Sequence, residues 1–323
     1  MKKAKDTETK LISFSNIKST MLEYLWYPYI PLGKITILQG DPGGGKSFLS
    51  ILIASIISLG GKFPYSDEKV DVGNVILQNG EDGIDDTIKA RLEKVNANCD
   101  KIFIIDESNI LISFACMSKF EEACEEIKPK LIIIDPLQRY IGDLDMSSAI
   151  KVRRALTPVI KLAQKYKCAV LIISHMNKGD GKALYKTLGS IDIVGTARSV
   201  LTIGVNPSNE KERILSHTKS SCSEKGESIA FKITNNGIEW LGKRGHLTSD
   251  DIISLEIDKP RNDAYIFLKE LLKDGGVDSN IVREEANKRG IAEPTLNRAK
   301  KDLKIKSVST NGKQRNWEIS KDE

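Results

Sequence analysis

The chain has 323 residues, of which 40% are hydrophobic and 29% charged, and its formal net charge is +5. These ordinary values exclude a low-complexity chain, and the length suits one large core with a smaller second domain. The five cysteines are scattered without a CxxC pair, which argues against a disulfide framework or a zinc site. The longest apolar run, residues 48–59, is too short to span a bilayer, so we expect a cytoplasmic protein without a membrane partner.

Short β-branched runs alternate with helix-length segments from Lys34 onward. Nearly continuous apolar runs of this length are typical of strands buried on both faces of a parallel sheet. They occupy residues 35–39, 74–78, 102–105, 131–135 and 169–174. Four later runs, separated by turn residues, predict antiparallel strands that finish the same sheet at residues 200–205, 212–218, 229–233 and 237–241. The pattern predicts an α/β fold with a mainly parallel sheet flanked by helices and antiparallel strands at one edge.

After Leu241 the pattern changes. Residues 242–259 are polar and mixed, which predicts a linker between a domain of residues 1–241 and one of residues 260–323. The second domain contains three short helical patterns and a possible hairpin with Asn311-Gly312 as its turn. This order predicts a small winged helix-turn-helix.

The segment GDPGGGKS, residues 40–47, fits the phosphate-binding pattern G-x-x-x-x-G-K-[ST] between a predicted strand and a predicted helix. Phosphate oxygens must approach backbone N–H groups closely, and a Cβ in the glycine run would obstruct them. Lys46 would neutralise the β- and γ-phosphates, and the Ser47 hydroxyl would be a ligand of Mg²⁺. The sequence therefore predicts ATP and Mg²⁺ as ligands.

Two acidic segments and a histidine follow other predicted strands, at the edge where ligands of open α/β sheets bind. Asp135 ends the run LIIID and would be a second Mg²⁺ ligand, as a Walker B aspartate. Glu81 in NGED is the candidate base that orients and deprotonates the attacking water, with Asp82 as the alternative. His175 follows AVLIIS and could contact a γ-phosphate. Each of these residues could instead be a structural cap or turn residue.

With these motifs in order, the chain resembles RepA-like hexameric replicative helicases and the AAA-type ATPases of mobile genetic elements, within the RecA-like class of P-loop ATPases. The passages that carry the resemblance are IPLGKITILQGDPGGGKS, NGED, LIIIDPLQRYIG, SHMNK and LGSIDIVGTARSVLTI. It covers about residues 11–241 and implies a RecA-like core that assembles as a homo-oligomer, in this family a hexameric ring. Motif and resemblance together predict the nucleotide-binding residues Gly40, Asp41, Pro42, Gly43, Gly44, Gly45, Lys46, Ser47 and Phe48.

The resemblance also implies a residue that acts on a neighbouring subunit's nucleotide. Arg198, in GTARSV, matches the family's arginine finger, which would stabilise charge on the γ-phosphate in trans. Lys219 is a second candidate for this role. Because Ser221 stands where some ring helicases have an arginine, the division of labour between Arg198 and Lys219 is open.

Two basic regions are candidates for contact with DNA. Residues 295–315 contain seven lysines and arginines against one aspartate, which predicts duplex contact by Arg298, Lys300 and Lys301, unless this face is only solvated or binds protein. The segment 177–190 is rich in glycine and lysine. By analogy with RecA-like motors it could line a central pore, with single-stranded DNA contacted by Lys178, Lys182 and Lys186.

The predicted function is an oligomeric Mg²⁺-dependent ATPase acting on DNA, in the first place a replicative helicase of a plasmid, phage or other mobile element. The sequence is also compatible with two alternatives. One is a DNA-binding regulator or loader that ATP switches between assembly states. The other is a recombination or repair ATPase that does not unwind DNA.

Overall fold

The computed structural model describes residues 11–107, 112–142, 144–176, 184, 191–206, 209–234, 237–257, 259–273, 275–303, 305–310 and 314–318. Within these ranges, none of the helices combines the length and the hydropathy that crossing a bilayer requires.

A large sheet forms the centre of the molecule. Its strands are β3 (Ile35–Gly40), β4 (Val75–Asn79), β5 (Ile102–Phe103), β6 (Leu131–Asp135), β7 (Ala169–His175), β8 (Ser199–Asn206), β9 (Asn209–Ser220), β10 (Ile229–Thr234) and β11 (Gly237–Lys243). Their spatial order is β11-β10-β9-β8-β3-β7-β6-β4-β5. The six strands from β8 to β5 pair in parallel, and β8 to β11 pair antiparallel. The predicted α/β fold, with antiparallel strands at one edge of a mainly parallel sheet, is therefore confirmed.

Helices cover both faces of this sheet. They are α1 (Lys46–Leu59), α2 (Lys89–Lys94), α3 (Met117–Ile127), α4 (Leu137–Tyr140), α5 (Ala149–Tyr166) and α6 (Ile191–Thr196). Neighbouring strand residues point to opposite faces. Leu38 accordingly packs in the cluster that contains Leu49 of α1, and Ile37 packs in the cluster that contains Leu156 of α5. Burial on both faces explains why these strands are continuously apolar.

Before the large sheet, residues 11–22 precede a short hairpin of β1 (Tyr24–Trp26) and β2 (Ile30–Pro31). Trp26 of this hairpin is buried and stacks on Phe63, with 4.9 Å between ring centroids. The hairpin is thereby fixed to the core, whereas the large apolar side chains of residues 11–22 are exposed.

The predicted linker, residues 242–259, contains regular structure. Strand β11 continues to Lys243, and helix α7 spans Ser249–Ile257. Ile252 and Ile253 of α7 are buried with Met176, Ile214 and Ala230. The two isoleucines attach this polar segment to the large sheet.

The last part of the chain has its own core. Helices α8 (Lys259–Leu271), α9 (Ser279–Lys288) and α10 (Glu293–Asp302) pack with a small sheet of β12 (Val277–Asp278), β13 (Lys306–Thr310) and β14 (Gln314–Glu318), in the order β12-β14-β13. Buried Phe267, Leu296 and Trp317 belong to one cluster there. The predicted turn Asn311-Gly312 lies outside the described residues.

Candidate functional site

The phosphate-binding loop connects the end of β3 to the start of α1. Gly43 has φ +76° and Gly45 has φ +97°, values that side chains with a Cβ rarely adopt. Gly45 is the N-cap of α1 and supplies no side chain to the first N–H groups of the helix. These N–H groups and the helix dipole are left to bind an anion, which fits the phosphates of ATP.

Lys46 is the first residue of α1 and is 5% exposed. Its Nζ donates hydrogen bonds to the carbonyl oxygens of Gly40 at 2.8 Å and Asp41 at 2.7 Å. Burial lowers the pKa of Lys46, and the carboxylates of Asp135, Asp41 and Glu81 oppose this shift. The ammonium group is therefore held at the loop, among acidic groups.

Asp135 ends β6 and lies beside the loop. Burial raises the pKa of its carboxyl, the negative charges of Glu81 and Asp82 add to the rise, and the Ser47 hydroxyl and the charge of Lys46 oppose it. A buried carboxylate surrounded by others is stabilised by a cation. The two predicted Mg²⁺ ligands are thus neighbours at the loop. Among the described residues no group of three or more His, Cys, Asp or Glu could hold a metal ion, so Mg²⁺ here would also need phosphate or water oxygens.

The sheet register brings the other predicted residues to the same edge. Gly40 pairs with His175 between β3 and β7, and Asn79 pairs with Asp135 between β4 and β6. The Glu81 carboxylate lies 3.8 Å from Nε2 of His175. The Nδ1 atom of His175 is buried and has no hydrogen-bond partner among the described residues, so the ring is not held as a structural histidine usually is.

Glu81 and Asp82 differ in their surroundings. Asp82 pairs with Arg91, with 2.6 Å between Oδ2 and Nη1. The Glu81 side chain is 59% exposed. Both backbone N–H groups donate to Oδ1 of Asn79, at 3.0 Å for Glu81 and 2.7 Å for Asp82. Of the two candidate bases, Glu81 is the one that is open to a ligand.

Phe48 lies one residue after Ser47 and is half-buried. It lines a pocket of about 290 Å³ together with Thr87, Ala90, Arg91 and other residues of the segment after the Glu81 loop. The pocket adjoins the start of α1, which is compatible with the predicted role of Phe48 in nucleotide binding.

Arg198 and Lys219 lie at the opposite edge of the sheet from the loop. The backbone N–H of Arg198 donates to the carbonyl of Ile35, at the start of β3, whereas the loop follows the end of β3. Ile35 and Gly40 are five residues apart along β3, so Arg198 and the phosphate loop lie at positions along the strand that are roughly 16 Å apart. Arg198 is exposed. Lys219 instead donates from Nζ to the carbonyl oxygens of Val194 at 2.7 Å and Ala197 at 2.8 Å, at the end of α6.

The candidate DNA contacts fall into two groups. Lys178, Lys182 and Lys186 lie outside the described residues. In α10, Arg298 and Lys301 are exposed, whereas Nζ of Lys300 lies 4.0 Å from the ring centroid of Trp317 and 2.6 Å from Oγ of Ser307. Lys300 is thus engaged within its own domain.

One ion pair near Glu81 was not predicted from the sequence. Nη2 of Arg139 lies 2.9 Å from Oε2 of Glu107, and both residues line a pocket of about 380 Å³ with Glu81 and Asp82. The available signal was the position of Arg139, one helical turn after Asp135. Nothing in the sequence identified Glu107 as its partner.

A protein-family model described as an AAA domain (AAA_25) matches residues 4–181, more than half of the chain. The DNA repair protein RadA of Listeria monocytogenes is 26% identical over 149 residues, 45% of this chain and 28% of RadA. RadA of Halalkalibacterium halodurans is 25% identical over 222 residues, 68% of this chain and 43% of RadA. The chain thus spans less than half the length of these relatives. A KaiC-like protein from Pyrococcus horikoshii aligns with a TM-score of 0.49 and 17% identity, over 66% of this chain and 91% of that chain. On the extent of the family match, the chain belongs to the AAA domain family.

Proposed function

We propose that this protein is an oligomeric Mg²⁺-dependent ATPase that acts on DNA. The observation that carries the proposal is the arrangement at the carboxyl edge of the sheet. There the glycine loop, the Lys46 ammonium, Ser47 and Asp135 lie within reach of Glu81. Family membership and similarity to two RadA proteins support the same class of activity.

Each residue of the site has a chemical role in the proposal. The loop N–H groups and Lys46 bind the phosphates, and Ser47 and Asp135 hold Mg²⁺, which when bound neutralises phosphate charge. Glu81 orients the attacking water and accepts its proton. His175, with its unpaired Nδ1, is placed to reorient when the γ-phosphate is present.

We infer that the site is completed by a second copy of the chain. Arg198 is exposed and lies roughly 16 Å from the level of its own loop, so it can serve only a neighbour's nucleotide. Lys219 is the poorer candidate because its ammonium is bound to carbonyl groups at the end of α6. Leu11, Phe14 and Met21 are 91%, 89% and 93% exposed, and apolar stretches of this kind usually mark a contact surface. A ring of six subunits is the assembly implied by the resemblance.

The C-terminal elements support a proposed DNA-binding role. The order of a helix, a short strand, two helices and two further strands, with the sheet order β12-β14-β13, supports a winged helix-turn-helix. In such a domain the second helix of the motif, here α10, enters a major groove. Arg298 and Lys301 are exposed on α10 and would contact duplex phosphates, and the segment with Lys178, Lys182 and Lys186 is the proposed contact with single-stranded DNA.

Two functions fit this architecture. Replicative unwinding is favoured by the resemblance to RepA-like helicases, and a repair or recombination ATPase without unwinding is favoured by the RadA similarity. The deciding experiment is strand displacement on forked DNA with ATP, alongside ATP turnover with and without single-stranded DNA. Displacement that requires ATP supports the helicase. Stimulated turnover without displacement supports the repair class.

The hydrolytic assignment has its own test. Glu81→Gln should retain nucleotide binding but lower kcat by about 100-fold or more, because general-base catalysis contributes this much. Asp82→Asn is the matched control, since it neutralises the neighbouring carboxylate that pairs with Arg91. Undiminished turnover in Glu81→Gln, or a larger loss in Asp82→Asn, would show that Glu81 is not the base.

A further inference from the structure

We propose that Arg139 is a positioning residue for ATP hydrolysis. Arg139 holds the Gly80–Glu81 backbone and thereby sets the position of Glu81. This inference rests on the proposed function. Arg139 lies on the short helix α4, one turn after Asp135. Its side chain therefore connects the strand of the candidate metal ligand to the loop of the candidate base.

The first support is the packing of Arg139 on Gly80. A Cβ built on Gly80 would overlap the Cγ atom of Arg139 and would lie 3.1 Å from its Cβ and Cδ. Real Cβ atoms essentially never come as close as this Cγ atom would be, and nine in ten of their contacts are longer than the other two distances. Glycine at position 80 therefore lets the arginine stem lie directly against the backbone that leads into Glu81. This contact leaves the loop no room to move toward α4.

The second support is that the arginine is itself fixed. Its guanidinium group pairs with Glu107 at 2.9 Å, and the two side chains are 29% and 23% exposed. Glu107 also accepts hydrogen bonds from Nε2 of Gln78 at 3.0 Å and from the Tyr140 hydroxyl at 3.4 Å. Gln78 and Tyr140 are both fully buried. An arginine held by an anchored carboxylate keeps one rotamer, so its stem can act as a rigid wall.

The third support is the way the rest of the loop is attached. The N–H of Gly80 donates to the carbonyl of Asp135 at 2.9 Å, and Asn79 accepts from the N–H of Glu81. These two hydrogen bonds fix the loop backbone to Asp135 and Asn79, and the stem of Arg139 packs against it from α4. The Glu81 side chain is 59% exposed, so its place is determined mainly by its backbone. Displacement of a catalytic group by about 1 Å can cost 100-fold in rate.

The test uses full-length variants that separate the stem from the ion pair. Arg139→Ala removes both and should lower kcat about 100-fold, whereas Arg139→Met keeps a stem and should lower it about 10-fold. Arg139→Lys should recover most of the wild-type rate. Nucleotide affinity, measured with a fluorescent ATP analogue, should change less than about twofold, because Arg139 is not part of the phosphate loop. Arg153→Met, which breaks the pair that the exposed Arg153 side chain makes with Asp192, is the matched control and should leave kcat unchanged.

Two readouts distinguish positioning from general stabilisation. In a Glu81→Gln background, adding Arg139→Met should not lower kcat further, because the group that Arg139 positions is already absent. Hydrogen exchange of the Gly80–Gly83 amides should accelerate in Arg139→Met and in Glu107→Gln, without a change in the exchange of β6. The second readout does not depend on turnover.

The proposal is overturned if Arg139→Met lowers kcat equally in the wild-type and Glu81→Gln backgrounds, or if amide exchange at Gly80–Gly83 is unchanged. A loss of nucleotide affinity in place of kcat would also overturn it. If Arg139→Ala does not fold, as judged by its thermal unfolding transition, Arg139→Met and Glu107→Gln provide the comparison. Should Glu81→Gln prove fully active, the base assignment fails, and the exchange measurement alone decides whether Arg139 holds the loop.

Discussion

Lowering the pH from 7.5 to 5 should destabilise this protein by about 2 kcal/mol through one buried histidine, His217. The residue is 3% exposed and lies on β9. Its Nδ1 accepts a hydrogen bond from the N–H of Gly226 at 2.9 Å, so the proton is on Nε2. Nε2 lies 3.0 Å from Oγ of Ser199, which in turn donates to the carbonyl of Tyr29 at 2.6 Å. A second proton on the ring would break the bond to Gly226.

The size of the effect follows from the pKa. Burial, together with the charge of Lys225, lowers the pKa of His217 from 6.5 to about 4. Between these values the unfolded chain binds a proton that the folded protein does not, so the free energy of unfolding falls as the pH falls. The contribution is fully present above pH 6.5 and is lost as the pH falls toward 4. At pH 5, about 1.5 pH units below the unfolded pKa, the loss is about 2 kcal/mol.

The assay is denaturant unfolding at pH 7.5 and pH 5 of wild type and His217→Gln. Other groups titrate in both proteins, so the informative quantity is the difference between their two pH-dependent changes. Wild type should lose about 2 kcal/mol more than the variant. His246→Gln, which removes an exposed histidine, is the control. Equal losses in wild type and His217→Gln would refute the reasoning.

Three further changes test other parts of the structure. Arg198→Ala should stop ATP turnover but not nucleotide binding. Mixing it with Lys46→Ala should restore some turnover, because the first variant supplies an intact phosphate loop and the second an intact Arg198. No recovery in the mixture would argue against action in trans. Lys219→Met should lower the free energy of unfolding by about 1–3 kcal/mol in denaturant titrations, because carbonyl groups at the end of α6 lose their hydrogen-bond donor. If the variant instead keeps full stability and loses ATP turnover, Lys219 is the trans-acting residue. Gly45→Ala should weaken nucleotide binding by about tenfold in a fluorescence titration, because φ +97° disfavours a Cβ; unchanged binding would mean that the loop rearranges when it binds.

The parallel part of the fold was predictable from local sequence because its strands are buried on both faces. The run LIIID, for example, matches β6 residue for residue. The segment IFII was less informative: only Ile102–Phe103 forms a strand, at the edge of the sheet, where one neighbour is missing. The linker prediction failed to anticipate α7, because two isoleucines in a polar segment carry no periodic signal until β8 and β9 provide a surface for them.

In the candidate site, too, some positions were predictable from the sequence and one contact was not. That Lys46, Asp135 and His175 lie at one edge of the sheet was predictable, since each ends or follows a strand and parallel strands end at a common edge. The pairing of Arg139 with Glu107 was not predictable. The two residues are 32 positions apart, and their contact depends on how α4 and the segment after β5 approach the same loop.

The two edges of the sheet impose a further constraint on function. A residue at the start of β8 cannot reach a ligand at the end of β3 in the same chain, so Arg198 and the phosphate loop can meet only between subunits. His217 stabilises this second edge through Ser199, the residue next to Arg198. Protonation of His217 would therefore weaken the support of Arg198 while leaving the phosphate loop intact. If Arg198 acts in trans, turnover should fall before nucleotide binding does as the pH approaches 4, where folded His217 takes up its proton.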